Sequence, residues 1–375
     1  MARYYIIAGE SSGDMHAANL IKSLKKKDPS ASFRVWGGDK MALAGADVVK
    51  HIRELAFMGF WEVVTNLRVI IRNLRFCKKD LLETRPDVLI LIDYPGFNLR
   101  MATFAHHHDI PVVYYISPQV WAWKQSRVTK IKKVVDKLLV ILPFEKDFYA
   151  RFGLDAVFPG HPLLDEVLPL TDKGAYADFR EKNGLSRGPV VALLPGSRKQ
   201  EISRMLHEMT AIAAKFPDHQ FVVAGISGID RKLYTDFMTG NNVSIVYDQT
   251  YPLLANATAA MVASGTATLE TAIFGVPQVV CYKANTISYH IARKLVKINY
   301  ISLVNLIMDK PVLTELIQHD FNRQALKTEM DHLLYDPAYR NRMLSDYKDL
   351  LATLGGQGAS DYAADTICSF IGEGN

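Results

Sequence analysis

Val88-Leu89-Ile90-Leu91-Ile92-Asp93-Tyr94-Pro95-Gly96-Phe97-Asn98 holds five consecutive apolar residues that end on an aspartate and a turn. An unbroken Val/Ile/Leu run, without polar alternation, fits a strand covered on both faces, as in a parallel sheet enclosed by helices. Outward from it, Tyr4–Ala8, Arg34–Trp36, Pro111–Ile116 and Lys137–Leu142 are further short runs, spaced by segments of helical length. The pattern pauses at Gly160-His161-Pro162-Leu163-Leu164-Asp165 and the polar stretch to Gly188, where a linker fits. It resumes at Pro189–Leu194, Gln220–Ala224, Val243–Val246, Ala259–Val262 and Gln278–Tyr282. Beyond Asn322 the chain reads as helical, interrupted by Gly355-Gly356-Gln357-Gly358. Two series of strand–helix alternation predict an α/β protein with two doubly wound, Rossmann-like domains facing each other across a cleft. The expected division is 1–165, 166–345 and a C-terminal helical segment 346–375 whose helices can pack back on the first domain.

The composition agrees with a folded body. Of 375 residues, 49% are hydrophobic and 22% charged, which excludes wholesale disorder. Forty-four Lys and Arg against 39 Asp and Glu leave a net charge of +5. That is too mild a bias for a dedicated nucleic-acid binder, so cationic function requires local clustering. Cys77, Cys281 and Cys368 lie far apart without a CxxC pair, which argues against a disulfide framework or a zinc ribbon and for a reducing compartment. The N-terminal apolar run passes directly into a Gly/Ser turn and reads as a strand rather than a secretory signal. No apolar run approaches the roughly 18–20 residues needed to span a bilayer. The expectation is a cytosolic or peripheral protein.

Four strand ends carry residues suited to chemistry. Gly9-Glu10-Ser11-Ser12-Gly13-Asp14-Met15-His16 follows the first strand. Its glycines permit a sharp turn, and the next helix offers free N–H groups to a ligand. The spacing is not GxGxxG, which disfavours a nicotinamide cofactor. Ser and Asp can act here simply as helix caps, but Glu10 and His16 are less easily explained that way. Asp93, at the carboxyl end of a central strand, stands where ligands of open α/β sheets bind and can serve as general base toward a hydroxyl; the alternative is a turn aspartate before Pro95. Leu193-Leu194-Pro195-Gly196-Ser197-Arg198 gives a close approach for phosphate oxygens and a guanidinium to meet them, although the P-loop spacing is absent. In Ala263-Ser264-Gly265-Thr266-Ala267-Thr268-Leu269-Glu270 a strand meets a hydroxyl-rich helix N-terminus suited to an anion. Glu270 lies one turn beyond Thr266 and suits a pair of sugar hydroxyls. Taken singly, each of these motifs is also compatible with an ordinary capped turn. Together they suggest a nucleotide-sugar glycosyltransferase, with donor and acceptor on different domains.

GESSGD with His16, Ser117-Pro118-Gln119-Val120-Trp121-Ala122-Trp123, Leu142-Pro143-Phe144-Glu145, Pro159-Gly160-His161-Pro162, LLPGSR, ASGTATLE and Tyr300-Ile301-Ser302-Leu303-Val304-Asn305-Leu306 occur in order along nearly the whole chain. Together they resemble the lipid A disaccharide synthase family. The resemblance implies a GT-B fold and an inverting, metal-independent hexosyltransferase without cofactor. Its donor would be UDP-2,3-diacylglucosamine and its acceptor 2,3-diacylglucosamine 1-phosphate (lipid X), giving UDP and the β-1′,6-linked lipid A disaccharide 1-phosphate. Asp93 matches the family's proposed base; Glu10 and His16, on the facing βα turn, are the reserve candidates. Arg198 and Asn305 match the family's polar donor-site positions, and Glu270 matches the nucleotide-ribose carboxylate of related GT-B enzymes; the turns themselves add Ser12, Gly13, Gly196, Ser197, Ser264, Gly265 and Thr266 as expected substrate-binding positions. The chain departs from the family pattern at Gly96 and at Val304, where another residue and proline are common. No DxD triplet occurs, so the expected mechanism needs no metal.

Acylated substrates require contact with a bilayer. Phe57-Met58-Gly59-Phe60-Trp61 leads into a helical run in which Arg68, Arg72, Arg75 and Lys79 fall within a stripe roughly 60° wide. Leu67, Ile70, Ile71 and Leu74 form an adjoining apolar face. This pattern fits either an interfacial helix attracted to anionic lipid or a core helix with a solvated edge. Lys124, Arg127, Lys130, Lys132 and Lys133 form a second basic patch, suited to an acceptor phosphate or merely to water. The expected location is the cytoplasmic face of the inner membrane, with no nucleic-acid partner; a homodimer is one admissible assembly. Two rival readings are a UDP-N-acetylglucosamine 2-epimerase-like GT-B enzyme, which needs no acceptor, and a non-catalytic polybasic membrane-binding protein.

Overall fold

The structure, a computed structural model, describes residues 1–55, 67–123, 125–186, 188–285, 289 and 298–373. They divide into two compact units, Met1–Asp165 with the chain from Leu354 on, and Glu166–Thr353.

The first unit contains six strands: β1 (Arg3–Ala8), β2 (Ser32–Gly37), β3 (Asp47–His51), β4 (Val88–Ile92), β5 (Val112–Tyr115) and β6 (Lys137–Leu139). All neighbours pair in parallel, in the order β3-β2-β1-β4-β5-β6. Every residue of β4 and β5 is buried, as the unbroken apolar runs predict. Alternate residues feed two cores. Tyr5, Ile7, Leu89, Leu91 and Tyr114 lie on one face, and Tyr4, Ile6, Ile90, Ile92 and Tyr115 on the other.

The second face is completed from the far end of the chain. The helix Ala359–Glu373 contributes Ala363, Ala364 and Ile367 to that core, beside the helix Ser11–Lys27. Asp165 accepts hydrogen bonds from the N–H groups of Gly358 (2.6 Å) and Ser360 (2.8 Å), which anchors the start of this helix. Ion pairs Lys26–Asp361 and Lys27–Asp365 join the two helices at their exposed edges. The C-terminal segment therefore packs on the first unit, while the helix Pro337–Thr353 before it belongs to the second.

The second unit repeats the plan with β7 (Val190–Leu194), β8 (Gln220–Gly225), β9 (Val243–Tyr247), β10 (Ala257–Ala263), β11 (Gln278–Tyr282) and β12 (Glu315–Ile317). Its order is β12-β11-β10-β7-β8-β9, again parallel throughout. Numbered within each unit, both sheets follow the doubly wound order 3-2-1-4-5-6. The order reverses between β1 and β4 in one unit and between β7 and β10 in the other. Such switch points open a crevice at the carboxyl ends of the strands, because the flanking connections leave to opposite faces.

Candidate active site

In the first unit, register decides which residues meet. Ala8 pairs with Ile92, so the residues that follow β1 and β4 leave the sheet side by side at the switch point. Those residues are Gly9-Glu10 and Asp93-Tyr94. Burial, and then the Glu10 carboxylate, push the Asp93 carboxyl from 3.8 up to about 6. The same two causes raise the Tyr94 phenol. A desolvated carboxyl beside a second carboxylate is placed to exchange a proton near neutral pH.

The first helix is built differently from a simple capped turn. Its N-cap is Glu10, without a side-chain cap. Asp14 is buried and caps a different helix, Asp39–Leu43, by accepting from the N–H groups of Gly38 (2.7 Å), Lys40 (3.1 Å) and Met41 (3.1 Å). Ser12 is exposed in the first turn. Gly13 is a packing residue, since a Cβ there would come within 3.2 Å of Ala8 Cβ and 3.5 Å of Ile92 Cγ2.

His16 is buried beside His161 of the Gly160-His161-Pro162 segment. Burial, then the neighbouring His16, push His161 down to about 3, so it is neutral at pH 7. Its Nδ1 accepts from the Leu163 N–H (3.2 Å), which assigns the ring proton to Nε2. Of the three base candidates, Glu10 and Asp93 are thus a pair, and His16 is a partner of His161.

Sequence reasoning passed over Glu145 as a site residue. Its carboxylate is 1% exposed and accepts four hydrogen bonds: Ser117 Oγ and Trp121 Nε1 (3.1 Å each) on one oxygen, and the N–H groups of Ile141 (3.2 Å) and Leu142 (3.0 Å) on the other. Burial pushes it up to about 7 against these bonds. Glu145 therefore ties the loops after β5 and β6 together, and it is the physical link between the SPQVWAW and LPFE motifs.

In the second unit, Leu194 pairs with Val262, so the turns that follow β7 and β10 flank that switch point. After β7, Gly196 has φ 104°, and a Cβ there would come within 2.3 Å of Glu201 Oε2. Glu201 accepts from the N–H groups of Ser197 (3.1 Å) and Arg198 (3.3 Å) and pairs with the Arg198 guanidinium (3.2 Å). The donors expected to face a phosphate are here held by an internal carboxylate in a capping box. The Arg198 side chain is 60% exposed.

After β10, Gly265 is the N-cap of the helix Thr266–Ile273. Ser264 Oγ donates to the Ile301 carbonyl (2.9 Å), so its proton serves the fold, and the helix N–H groups remain the donors at this turn. Glu270 accepts from Tyr251 Oη (3.0 Å), whose ring stacks on Phe274. Asp248, Thr250, Tyr251, Pro252 and Glu270 line a cavity of about 270 Å³.

Asn305 is buried, and its amide is engaged with the chain itself. Nδ2 donates to the Leu313 carbonyl and Glu315 Oε1 (2.9 Å each), and Oδ1 accepts from the Leu313 N–H (2.8 Å). Glu315 also accepts from the Ile301 and Ser302 N–H groups (2.9 Å each). Asn305 and Glu315 thus fix the Ile301-Ser302 loop, at the start of the next helix, that receives Ser264. Val304 is fully buried in the helix Leu303–Met308. Gly96 has open space around its Cβ position.

On the helix Leu67–Thr84, Arg68, Arg72, Arg75 and Lys79 are exposed, while Asn73, Cys77, Asp80 and Leu81 face the interior. Leu74 packs against the core, whereas Ile71 (41%), Phe76 (44%) and Leu82 (40%) stand exposed on either side of the basic stripe. Phe57, Met58, Gly59, Phe60, Trp61 and Lys124 lie outside the described residues. Among the described residues no helix is long and apolar enough to cross a membrane.

A family model described as lipid-A-disaccharide synthetase matches residues 4–364. The chain belongs to this family. It is 36% identical to the lipid-A-disaccharide synthase of Geobacter sulfurreducens, with 99% of this chain and 98% of the relative covered. Against the enzyme of the same name from Syntrophus aciditrophicus the identity is 39%, covering 98% and 97%. The chain is therefore a glycosyltransferase of the hexosyltransferase class. Among solved structures, the UDP-GlcNAc 2-epimerase of Neisseria meningitidis bound to UDP-GlcNAc superposes with a TM-score of 0.70 at 13% identity, covering 98% of this chain and all of that one. That likeness concerns the fold, which is GT-B. Membership of the synthase family separates the chain from the epimerase reading.

Proposed function

We propose that the chain transfers 2,3-diacylglucosamine from UDP to the 6-hydroxyl of 2,3-diacylglucosamine 1-phosphate, with inversion at the anomeric carbon. The observation that carries the reading is the Asp93–Glu10 pair at the first switch point. Asp93, held up at about 6, is ionised at pH 7 yet basic enough to take a hydroxyl proton in the transition state. As that proton moves to Asp93, the acceptor oxygen bonds to the anomeric carbon, and the bond to the diphosphate breaks with its electron pair leaving on UDP.

Within the second unit, the Arg198 guanidinium and the N–H groups beginning the helix Thr266–Ile273 stabilise the charge gathering on the diphosphate. Arg198 exchanges its Glu201 partner for phosphate. Gly196 and Ser197 form the turn that carries it, and Ser264, Gly265 and Thr266 form the second turn. Glu270 and Tyr251 supply polar atoms for ribose hydroxyls in the cavity beside them. Asn305 acts from behind, through the loop that receives Ser264. Ser12 and Gly13 lie in the first turn of the helix that Glu10 begins, and His16 supports that helix start from its place beside His161.

The acyl chains place the work at the cytoplasmic surface of the inner membrane. There the stripe Arg68, Arg72, Arg75 and Lys79, flanked by Ile71, Phe76 and Leu82, docks on anionic lipid; Phe60 and Trp61 precede the same helix in sequence. The experiment is mass spectrometry of products from UDP-diacylglucosamine plus lipid X, with UDP-diacylglucosamine alone alongside. A disaccharide 1-phosphate formed only with both substrates is expected. Its absence above a no-enzyme control refutes the proposal, and an epimerised donor in the single-substrate arm identifies the rival chemistry.

A further inference from the structure

Asp93 and Tyr94 both adopt left-handed backbone conformations, with φ of 44° and 47°. Two consecutive non-glycine residues in that region persist only where their surroundings over-determine them. Three contacts do so here. Asn98, fully buried on the helix Pro95–His106, donates its Nδ2 protons to the carbonyls of Asp93 (2.7 Å) and Ile92 (3.1 Å), with the Ile7 carbonyl of β1 at 3.4 Å. Tyr114, fully buried on β5, donates its hydroxyl to the same Asp93 carbonyl at 2.7 Å. The Tyr94 ring lies flush on Gly9, where a Cβ would fall 2.3 Å from Tyr94 Cγ.

The Asp93 carbonyl thus receives two buried side-chain donors from different elements, one on the helix that follows it and one on the neighbouring strand. Neither donor meets the carboxyl itself, and strand pairing requires neither. We propose that Asn98 and Tyr114 are positioning residues of the transfer, which hold the Asp93 carbonyl so that the left-handed turn aims its carboxyl at the acceptor hydroxyl. The proposal rests on the reading of Asp93 as the base. If the pair served folding alone, its loss would lower the melting temperature and leave turnover per folded molecule unchanged.

The test uses the full chain with UDP-diacylglucosamine and lipid X, comparing Tyr114→Phe and Asp93→Asn with the parent at saturating substrate. Tyr114→Phe keeps the ring and removes only the hydroxyl. It is expected to lower kcat about 10-fold, because small misplacements of a catalytic group are penalised steeply. The donor KM should not change, and the acid limb of kcat against pH should move as the carboxyl changes its surroundings. Parental kcat and an unmoved acid limb in Tyr114→Phe, with Asp93→Asn inactive, overturn the positioning role and leave Asp93 as base. An active Asp93→Asn overturns both. Should Tyr114→Phe fail to fold, Gly9→Ala displaces the same turn from the opposite side through the Tyr94 ring. It should show the same loss of kcat at constant donor KM, and a normal kcat there overturns the proposal.

Discussion

Asp93→Asn should make the first unit more stable while removing transfer. The folded carboxyl titrates at about 6 and an unperturbed one at 3.8. Between those values the native state binds more protons than the unfolded one, so stability declines as pH rises through the window. Below about 3.8 the carboxyl is protonated in both states and there is no penalty; above about 6 the penalty is complete. A displacement of this size corresponds to at most about 3 kcal/mol, and partial exposure reduces it to about 1–3. Asparagine carries no charge, nearly matches the shape of aspartate and tolerates left-handed backbone well. The melting temperature should therefore rise by several degrees at pH 8, given roughly 2–4 °C per kcal/mol for a unit of this size. The gain should shrink toward zero as pH approaches 4. Turnover should fall about 10²–10⁴-fold, in kcat, because the proton is taken only as the new bond forms. The assay is a calorimetric melt of both proteins from pH 4 to 8 beside a single-turnover measurement. A variant that melts no higher at pH 8, or whose gain does not change with pH, refutes the desolvated-carboxylate reasoning. Retained turnover would refute the role as base.

Arg198→Ala removes a guanidinium proposed to meet oxygens that gain charge as UDP leaves, and should lower kcat/KM for the donor by roughly 2–4 kcal/mol in transition-state terms; a near-parental value would show a surface residue. Glu145→Ala leaves the Ser117 hydroxyl, the Trp121 indole and the N–H groups of Ile141 and Leu142 without their shared acceptor, and should destabilise the first unit by about 1–3 kcal/mol or more; an unchanged melt and unchanged tryptophan emission count against the loop-tying role. Charge reversal at Arg72 and Arg75, both exposed, should weaken sedimentation with anionic vesicles and leave the melt intact. Binding that responds neither to salt nor to these changes would exclude this helix as the docking surface.

The sequence by itself determined the two parallel sheets. Strands buried on both faces are made mostly of apolar residues, and Val88–Ile92, Val190–Leu194 and the 279–281 stretch of Gln278–Tyr282 are legible for that reason. The edge strands Asp47–His51 and Glu315–Ile317 hold only two consecutive apolar residues each, beside charged Asp47, Lys50 and Glu315, and carry no comparable signal, whereas the edge strands Lys137–Leu139 and Val243–Tyr247 lie in longer apolar runs. Motif order gave the family, because a chain of turns at strand ends is written locally. The tertiary structure decided what those turns do with their atoms. Register along β1 and β4 sets Glu10 beside Asp93, although 83 residues separate them in sequence. Hydrogen bonds likewise send Asp14 to a second helix, Ser264 to Ile301 and Asn305 to Leu313 and Glu315. A residue's type states which bonds it is able to make. Which partner it meets, and whether burial shifts its proton, depends on atoms brought together from distant parts of the chain.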